Sequence, residues 1–149
     1  MEEGFMLSEK EQRIKELIQQ AILARKKSYS PYSHFQVGAC LEGKSGTLYT
    51  GCNIENASYP VTNCGERTAF FKAVSEGEQE FTRIAIVGGK ENQDLEMCPP
   101  CGVCRQVMME FCDPKTFEII LPISEEEYEF YLLKDLLPLG FGKANLENA

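Results

Sequence analysis

Apolar residues near the start of the chain recur at intervals of three and four, the spacing of one helix face. They are Ile14, Leu17, Ile18, Ala21 and Ile22. Ser8 precedes this stretch, and Glu11 lies three residues after Ser8, which is the pattern of a capping box. Basic residues at 25–27 suit the negative end of the helix dipole. The pattern predicts an amphipathic helix from about Ser8 to the basic triplet, which we expect to be solvated.

Shorter stretches have the residue types of strands. Residues 35–41 and 47–52 flank a turn-forming segment at 42–46, so we expect a β-hairpin. Residues 84–87 form a short, continuously apolar run that is typical of a buried strand. Residues 117–121 have a similar composition and predict one more strand.

Two further helices are predicted to begin at cysteines. Cys64 follows the aperiodic, polar stretch 53–63, and Cys101 follows two prolines. Apolar residues then recur at helical spacing in both segments. These are Ala69, Phe70, Ala73 and Val74 in the first, and Val103, Val107, Met108 and Phe111 in the second. The order strand, helix, strand, helix, strand predicts an α/β fold with parallel pairing and right-handed crossovers.

Composition is that of one globular domain, which we expect to span 1–149. The chain has 149 residues, of which 43% are hydrophobic, enough for a single core. No apolar run approaches the roughly 20 residues that cross a bilayer, and the acidic start Met1–Glu3 lacks the basic region of a secretory signal. Seven cysteines, an odd number, favour reduced thiols and metal binding. We therefore expect a cytoplasmic protein that does not contact a membrane.

The net charge argues against a nucleic-acid partner. It is −8 at neutral pH, and no basic run is longer than 25–27. Binding a phosphate backbone requires several clustered Lys or Arg residues. A small-molecule substrate fits this composition better.

Three cysteines and one glutamate have the composition of a hydrolytic zinc site. Catalytic zinc usually keeps three protein ligands and leaves its fourth position to water. Cys64, Cys101 and Cys104 can supply these ligands, and Glu66 is close enough in sequence to exchange protons with the water. Each cysteine segment opens a helix, where free N–H groups and the helix dipole stabilise a thiolate.

Three thiolates on one Zn²⁺ leave a formal charge of −1, which weakens the pull of the metal on its water. A nearby cation would offset that charge. Arg67 is the leading candidate for this role, and Arg105 is the second.

Cys98 offers an alternative, because it forms an overlapping C-x-x-C unit with Cys101. A fourth thiolate would close the site and make it structural, and Glu66 would then be an ordinary helix residue. The two prolines at 99 and 100 lack the N–H donors that support a tight C-x-x-C turn, which favours Cys101 and Cys104 as the pair. His34, the one histidine, is not expected to take part.

The C-x-E and P-C-x-x-C pair resembles the signature of zinc-dependent deaminases. Further segments resemble the cytidine deaminases in particular, and the likeness extends from the first helix to about Phe141. They read YSPYSHF at 29–35 with VGA at 37–39, GCNIENA at 51–57, and LLP at 136–138 followed by FG at 141–142.

This resemblance implies a three-layer αβα sandwich with a mixed sheet of about five strands. It also implies zinc-dependent hydrolytic deamination of cytidine and 2′-deoxycytidine to uridine and 2′-deoxyuridine. Asn53 and Glu55 would hold the ribose hydroxyls, and Phe35 would pack beside the pyrimidine. Amides and carboxylates suit sugar hydroxyls, and an aromatic ring suits a flat base.

The resemblance further implies that backbone groups near Ala57 and Gly65 contact the base. Phe141 would come from a neighbouring subunit, because the three-cysteine members are typically homotetramers with shared active sites. Gly65 stands where the family more often has Ala, which enlarges the space beside the base. The acidic stretch 124–131 matches the family only loosely, and 90–96 carries no interpretable pattern. Deamination of a base within nucleic acid shares the zinc signature but normally requires a basic surface.

Overall fold

The computed structural model describes residues 7–147, so the acidic start Met1–Glu3 lies outside the described residues. Up to residue 122 its helices and strands follow the predicted order, and a strand and two short helices that were not predicted come after it. They are α1 (Glu9–Arg25), β1 (Phe35–Gly43), β2 (Leu48–Cys52), α2 (Gly65–Ser75), β3 (Phe81–Lys90), α3 (Gly102–Phe111), β4 (Glu118–Pro122), β5 (Tyr128–Leu132), α4 (Leu133–Leu136) and α5 (Lys143–Glu147). A short 3-10 helix, Tyr59–Val61, interrupts the loop before α2.

The five strands form one mixed sheet in the order β2-β1-β3-β4-β5. The pairing of β3 with β4 is parallel, as the sequence predicts. The expectation of parallel pairing is wrong for β3 and the hairpin, because β3 lies beside β1 and runs antiparallel to it. Strand β1 therefore separates β2 from β3, the two strands that α2 connects.

Helices cover both faces of the sheet, which confirms the three-layer αβα sandwich. On one face α1 packs its buried residues Ile14, Leu17, Ile18 and Ala21 against alternate strand residues. On the other face Phe70 from α2 and Met108 from α3 share a core with Ile84 and Ile86 of β3. Val103 was predicted to belong to the apolar face of α3, but it is 57% exposed. The buried face of α3 is therefore narrower than the sequence pattern predicted.

Helix α1 begins as predicted and ends differently. The Ser8 hydroxyl accepts from the Glu11 N–H, and the Glu11 carboxylate accepts from the Ser8 N–H, which completes the capping box. At the other end Arg25 is half-buried and donates to the carbonyls of Gln36, Lys90 and Gln93. The expectation of a fully solvated basic end is therefore wrong for Arg25, which ties α1 to β1 and β3.

The first turn of helix α2 lies against β2, and Gly51 permits this close approach. A Cβ at this position would lie 2.5 Å from the N of Ala69 and 2.6 Å from the O of Gly65. Since real Cβ atoms do not come so close to backbone, any side chain here would push the helix outward. The lack of a side chain at Gly51 therefore allows the first turn of α2 to lie this close to the sheet.

Within 7–147, no helix combines the length and the apolar character needed to span a membrane.

Candidate active site

Two helices on the same face of the sheet begin at the predicted zinc ligands. Cys64 is the N-cap residue of α2, and Cys101 is the N-cap residue of α3. Cys104 lies in the first turn of α3, three residues after Cys101. The free N–H groups of both helix ends thus point toward one region, where they favour negative charge.

The sulfurs of these three cysteines lie close enough to bind one ion. The Sγ of Cys101 is 3.7 Å from the Sγ of Cys64 and 3.5 Å from that of Cys104. All three sulfurs lie within 4.8 Å of one another, and none of them is in a disulfide. Three soft thiolates converging from two helix ends fit Zn²⁺. The donor set provides three ligands and leaves room for a non-protein one.

Cys98 does not join this cluster, which among residues 7–147 consists of Cys64, Cys101 and Cys104. Its side chain packs with the core between the sheet and helices α2 and α3. Burial, assisted by nearby negative groups, raises the pKa of the Cys98 thiol to about 12. The geometry therefore favours the three-ligand arrangement over the closed four-cysteine alternative.

Arg67 places its charge beside one of these sulfurs. Its Nη2 lies 3.2 Å from the Sγ of Cys64 and donates to it, with a longer contact of 3.4 Å to the carbonyl of Thr62. Its Nε is buried and has no hydrogen-bond partner. Arg105 instead donates to the carbonyls of Pro100 and Leu136, so it braces the chain around α3 and does not contact a sulfur.

The Cys64 thiol and the Glu66 carboxyl are shifted in opposite directions. Hydrogen bonding from Cys104 is the largest cause that lowers the pKa of Cys64 to about 5, with burial opposing it and Arg67 assisting. Glu66 is 4% exposed, and its pKa is raised to about 7, mainly by burial and in part by the negative charge of Cys64. A carboxyl with a pKa near neutrality can both accept and donate protons at physiological pH.

The Asn53 side chain is buried just beyond the end of β2 and bridges to β1. Its Oδ1 accepts from the Val37 N–H at 2.9 Å and from the Ser28 hydroxyl. Its Nδ2 donates to the carbonyl of Phe35 at 2.8 Å. Because a side-chain amide has two acceptor sites and two donors, one N–H remains for a further partner.

Glu55 lies two residues further along the same loop and is less buried than Asn53. Its Oε1 accepts from the N–H groups of Tyr32 and Ser33 at 3.0 and 3.1 Å, and its Oε2 accepts from the Ser33 hydroxyl. Burial opposes ionisation, but these hydrogen bonds outweigh it and lower the pKa of Glu55. The carboxylate is therefore ionised, and its Oε2 retains acceptor capacity.

The other predicted contacts lie at different depths. Phe35 is half-buried at the start of β1, Ala57 is exposed, and Gly65 is buried in the first turn of α2. A Cβ on Gly65 would lie 3.2 Å from the Cγ1 of Val37, so an alanine at this position would need a small shift of that side chain. Phe141 is 58% exposed, and its carbonyl accepts from Gln106 of α3.

Thr68 is a positioning residue that sequence reasoning missed. Its hydroxyl lies 3.0 Å from the carbonyl of Cys52 and 3.1 Å from that of Cys64, and it accepts from Asn63. It thereby links the ligand at the start of α2 to the end of β2. The available signal was its position four residues after Cys64, where a threonine hydroxyl reaches back to a helical carbonyl.

His34 stands apart from the cysteine cluster. Its Nδ1 lies 3.3 Å from the Oε2 of Glu91, and both side chains are exposed. Among residues 7–147, the cluster that could hold a metal does not include His34.

Comparisons with known proteins agree with this site. Residues 11–119 match the family model described as the cytidine and deoxycytidylate deaminase zinc-binding region. The chain is 44% identical to a cytidine deaminase of Sporosarcina psychrophila, over 91% of this chain and 96% of that protein. It is 47% identical to a cytidine deaminase of Halalkalibacterium halodurans, over 84% and 91% of the two chains.

A solved structure has the same architecture. The crystal structure of cytidine deaminase from Burkholderia pseudomallei aligns with a TM-score of 0.76 and 44% identity, covering 85% of this chain and 97% of that one. The predicted fold and zinc cofactor are thereby confirmed, since the matched family model is a zinc-binding region and the cysteine cluster can hold the metal. The chain belongs to the cytidine and deoxycytidylate deaminase family.

Proposed function

We propose that this chain hydrolyses cytidine and 2′-deoxycytidine to uridine and 2′-deoxyuridine. Water adds its oxygen at C4 of the pyrimidine, and the C4 amino group leaves as ammonia. The observation that carries the proposal is the position of Glu66, a buried carboxyl in the same helical turn that begins at the Cys64 ligand.

Cys64, Cys101 and Cys104 would hold the zinc. When bound, zinc supplies Lewis-acid activation of a water molecule. Arg67 donates to the Cys64 sulfur and so offsets the surplus negative charge of three thiolates on a divalent ion.

Glu66 carries the protons in this scheme. Its carboxylate takes one proton from the attacking water and delivers it to ring N3. It then takes the second proton from the hydroxyl added at C4 and passes it to the departing amino group, so that the C4=O bond forms as the C4–N bond breaks. Burial supports both roles, because it raises the pKa of Glu66 to about 7 and brings the two protonation states close in energy.

Residues around the end of the hairpin would hold the nucleoside. The remaining N–H of Asn53 can donate to a sugar hydroxyl oxygen, and Glu55 Oε2 can accept from a sugar hydroxyl. Phe35 would pack beside the pyrimidine, and backbone groups near Ala57 and Gly65 would contact it.

The working form in this proposal is a cytoplasmic homotetramer built from one catalytic domain per chain. The 58% exposure of Phe141 supports its donation to a neighbouring active site. The net charge of −8 supports a nucleoside substrate over nucleic acid.

An ultraviolet assay with zinc-loaded protein tests the proposal. Cytidine and 2′-deoxycytidine should each lose their cytosine absorbance while an equal amount of ammonia appears. A single-stranded oligonucleotide containing cytosine should be unchanged. Absence of turnover with both nucleosides would overturn the proposal, and turnover of the oligonucleotide would overturn its substrate class.

A further inference from the structure

Gly88 of β3 lies where two parts of the site meet. A Cβ built on it would lie 2.7 Å from both the Cβ and the Sγ of Cys98 and 3.0 Å from the Cε1 of Phe35. Both side chains thus occupy the space that any other residue at this position would fill. Real Cβ atoms are not found so close to their neighbours, so the contact requires glycine.

The face on which Gly88 lies is the face of the cysteine cluster. Gly88 pairs with Val37 of β1, two residues after Phe35 on the same side of that strand. Ile84 and Ile86 lie on the same face of β3 as Gly88, and they belong to the core beneath α2 and α3. The opposite neighbour, Val87, packs toward α1.

Cys98 connects this contact at Gly88 to the metal ligands. It lies three residues before Cys101, in the segment that returns along β3 and is fixed there by the Glu96 N–H donating to the Gly88 carbonyl at 2.9 Å. The Cys98 side chain therefore packs the segment that leads to Cys101 against β3, the strand that pairs with β1 at Phe35. This accounts for a cysteine that the zinc cluster does not use.

We propose that Gly88 and Cys98 are positioning residues that set the depth of the Phe35 ring in the base site. The inference rests on the proposed function, in which Phe35 packs beside the pyrimidine. Gly88 offers no group to the substrate and acts through Phe35. Cys98 acts as packing volume that supports both Phe35 and the start of α3.

A double-mutant cycle on Gly88→Ala and Phe35→Leu tests this role. Gly88→Ala should lower kcat/KM for cytidine by about 10-fold or more, mainly by raising KM, with zinc content unchanged. In the Phe35→Leu background the same change should alter kcat/KM by less than about 3-fold, because the two residues act as one unit. Equal effects in both backgrounds would overturn the inference.

Val87→Ala is the matched control, since it weakens the same strand on the face toward α1. It should lower the melting temperature and leave KM unchanged. Cys98→Ala provides a second test should Gly88→Ala fail to fold: it should raise KM severalfold with zinc retained. An unchanged KM in Cys98→Ala would contradict the proposed role of Cys98.

A crystal structure of Gly88→Ala decides the inference without reference to turnover. The Phe35 ring should be displaced while the three ligand sulfurs keep their positions. A Phe35 ring in its original place would overturn the inference. Absence of turnover by the unmodified protein would overturn the proposed function, so the two failures are distinguishable.

Discussion

Arg67 Nη2 and Cys64 Sγ lie 3.2 Å apart, across the first turn of the helix that Cys64 caps. This contact places a permanent cation on one of three sulfurs that would otherwise present three negative charges to a divalent ion. The helix itself produces the contact, because residues three apart lie on one face. The charge balance of the site is therefore a local property of the segment Cys64–Arg67.

Replacing Arg67 tests that balance. Arg67→Gln should lower kcat by about 10- to 100-fold, the range for residues that support metal ligands. Arg67→Lys keeps the charge and should recover part of the loss. Zinc content and kcat of both variants give the comparison. Full activity of Arg67→Gln would show that the guanidinium does not tune the site.

The number of metal ligands is testable with matched serine substitutions. Cys104→Ser removes a sulfur of the cluster and should reduce zinc content well below one per chain. Cys98 lies three residues before Cys101 but outside the cluster, so Cys98→Ser should retain one zinc per chain. Metal analysis after dialysis gives both values. Loss of zinc from Cys98→Ser would instead favour the closed, structural site.

Removing the Glu55 carboxylate tests sugar recognition. The wild-type protein should prefer cytidine over 2′,3′-dideoxycytidine, because the analogue lacks the sugar hydroxyls that Asn53 and Glu55 would hydrogen-bond. Glu55→Gln should reduce this preference by at least about 10-fold. Ratios of kcat/KM for the two substrates measure the effect. A ratio that does not change would remove Glu55 from sugar recognition.

An ion network distant from the site makes stability depend on pH. Arg83 donates to both Glu42 and Glu118, and Lys10 of α1 lies 2.8 Å from Glu118. Burial opposes ionisation of Glu118, but the hydrogen bonds from Lys10 and Arg83 outweigh it and lower its pKa. The stabilisation is thus fully present above the unfolded-state pKa and is lost as the pH falls through the lower, folded-state pKa.

Glu118→Gln should therefore destabilise the protein by roughly 1–3 kcal/mol at neutral pH. The difference from wild type should shrink below about pH 4, where the carboxylate of the unfolded chain is protonated. Urea unfolding of both proteins at several pH values measures it. If the difference in the free energy of unfolding is the same at pH 7 and pH 3, it does not come from the ionised carboxylate of Glu118.

The local parts of the site were predictable from sequence because they depend on residue spacing along the chain. Cys101 and Cys104 lie in one helical turn, and Glu66 and Arg67 lie two and three residues after Cys64, so helix geometry alone brings them together. The capping box at Ser8 was predictable for the same reason.

The parts that depend on strand order were not predictable. A helix between two strands indicates a crossover, but it does not say that β1 lies between them. Consequently the contact of Gly88 with Phe35 and Cys98 is visible only once β3 is placed beside β1. The carbonyl contacts of Arg25 also depend on this pairing, since they join α1 to residues 11 to 68 positions away.

Turnover and zinc content of Glu66→Gln, measured on the same preparation, test the central claim. The substitution keeps the size of the buried side chain and removes its ability to exchange protons. We expect one zinc per chain and a kcat lower by about 100- to 10,000-fold. Glu76→Gln at the other end of α2 should retain full activity as the control. Near wild-type turnover by zinc-loaded Glu66→Gln would contradict the account.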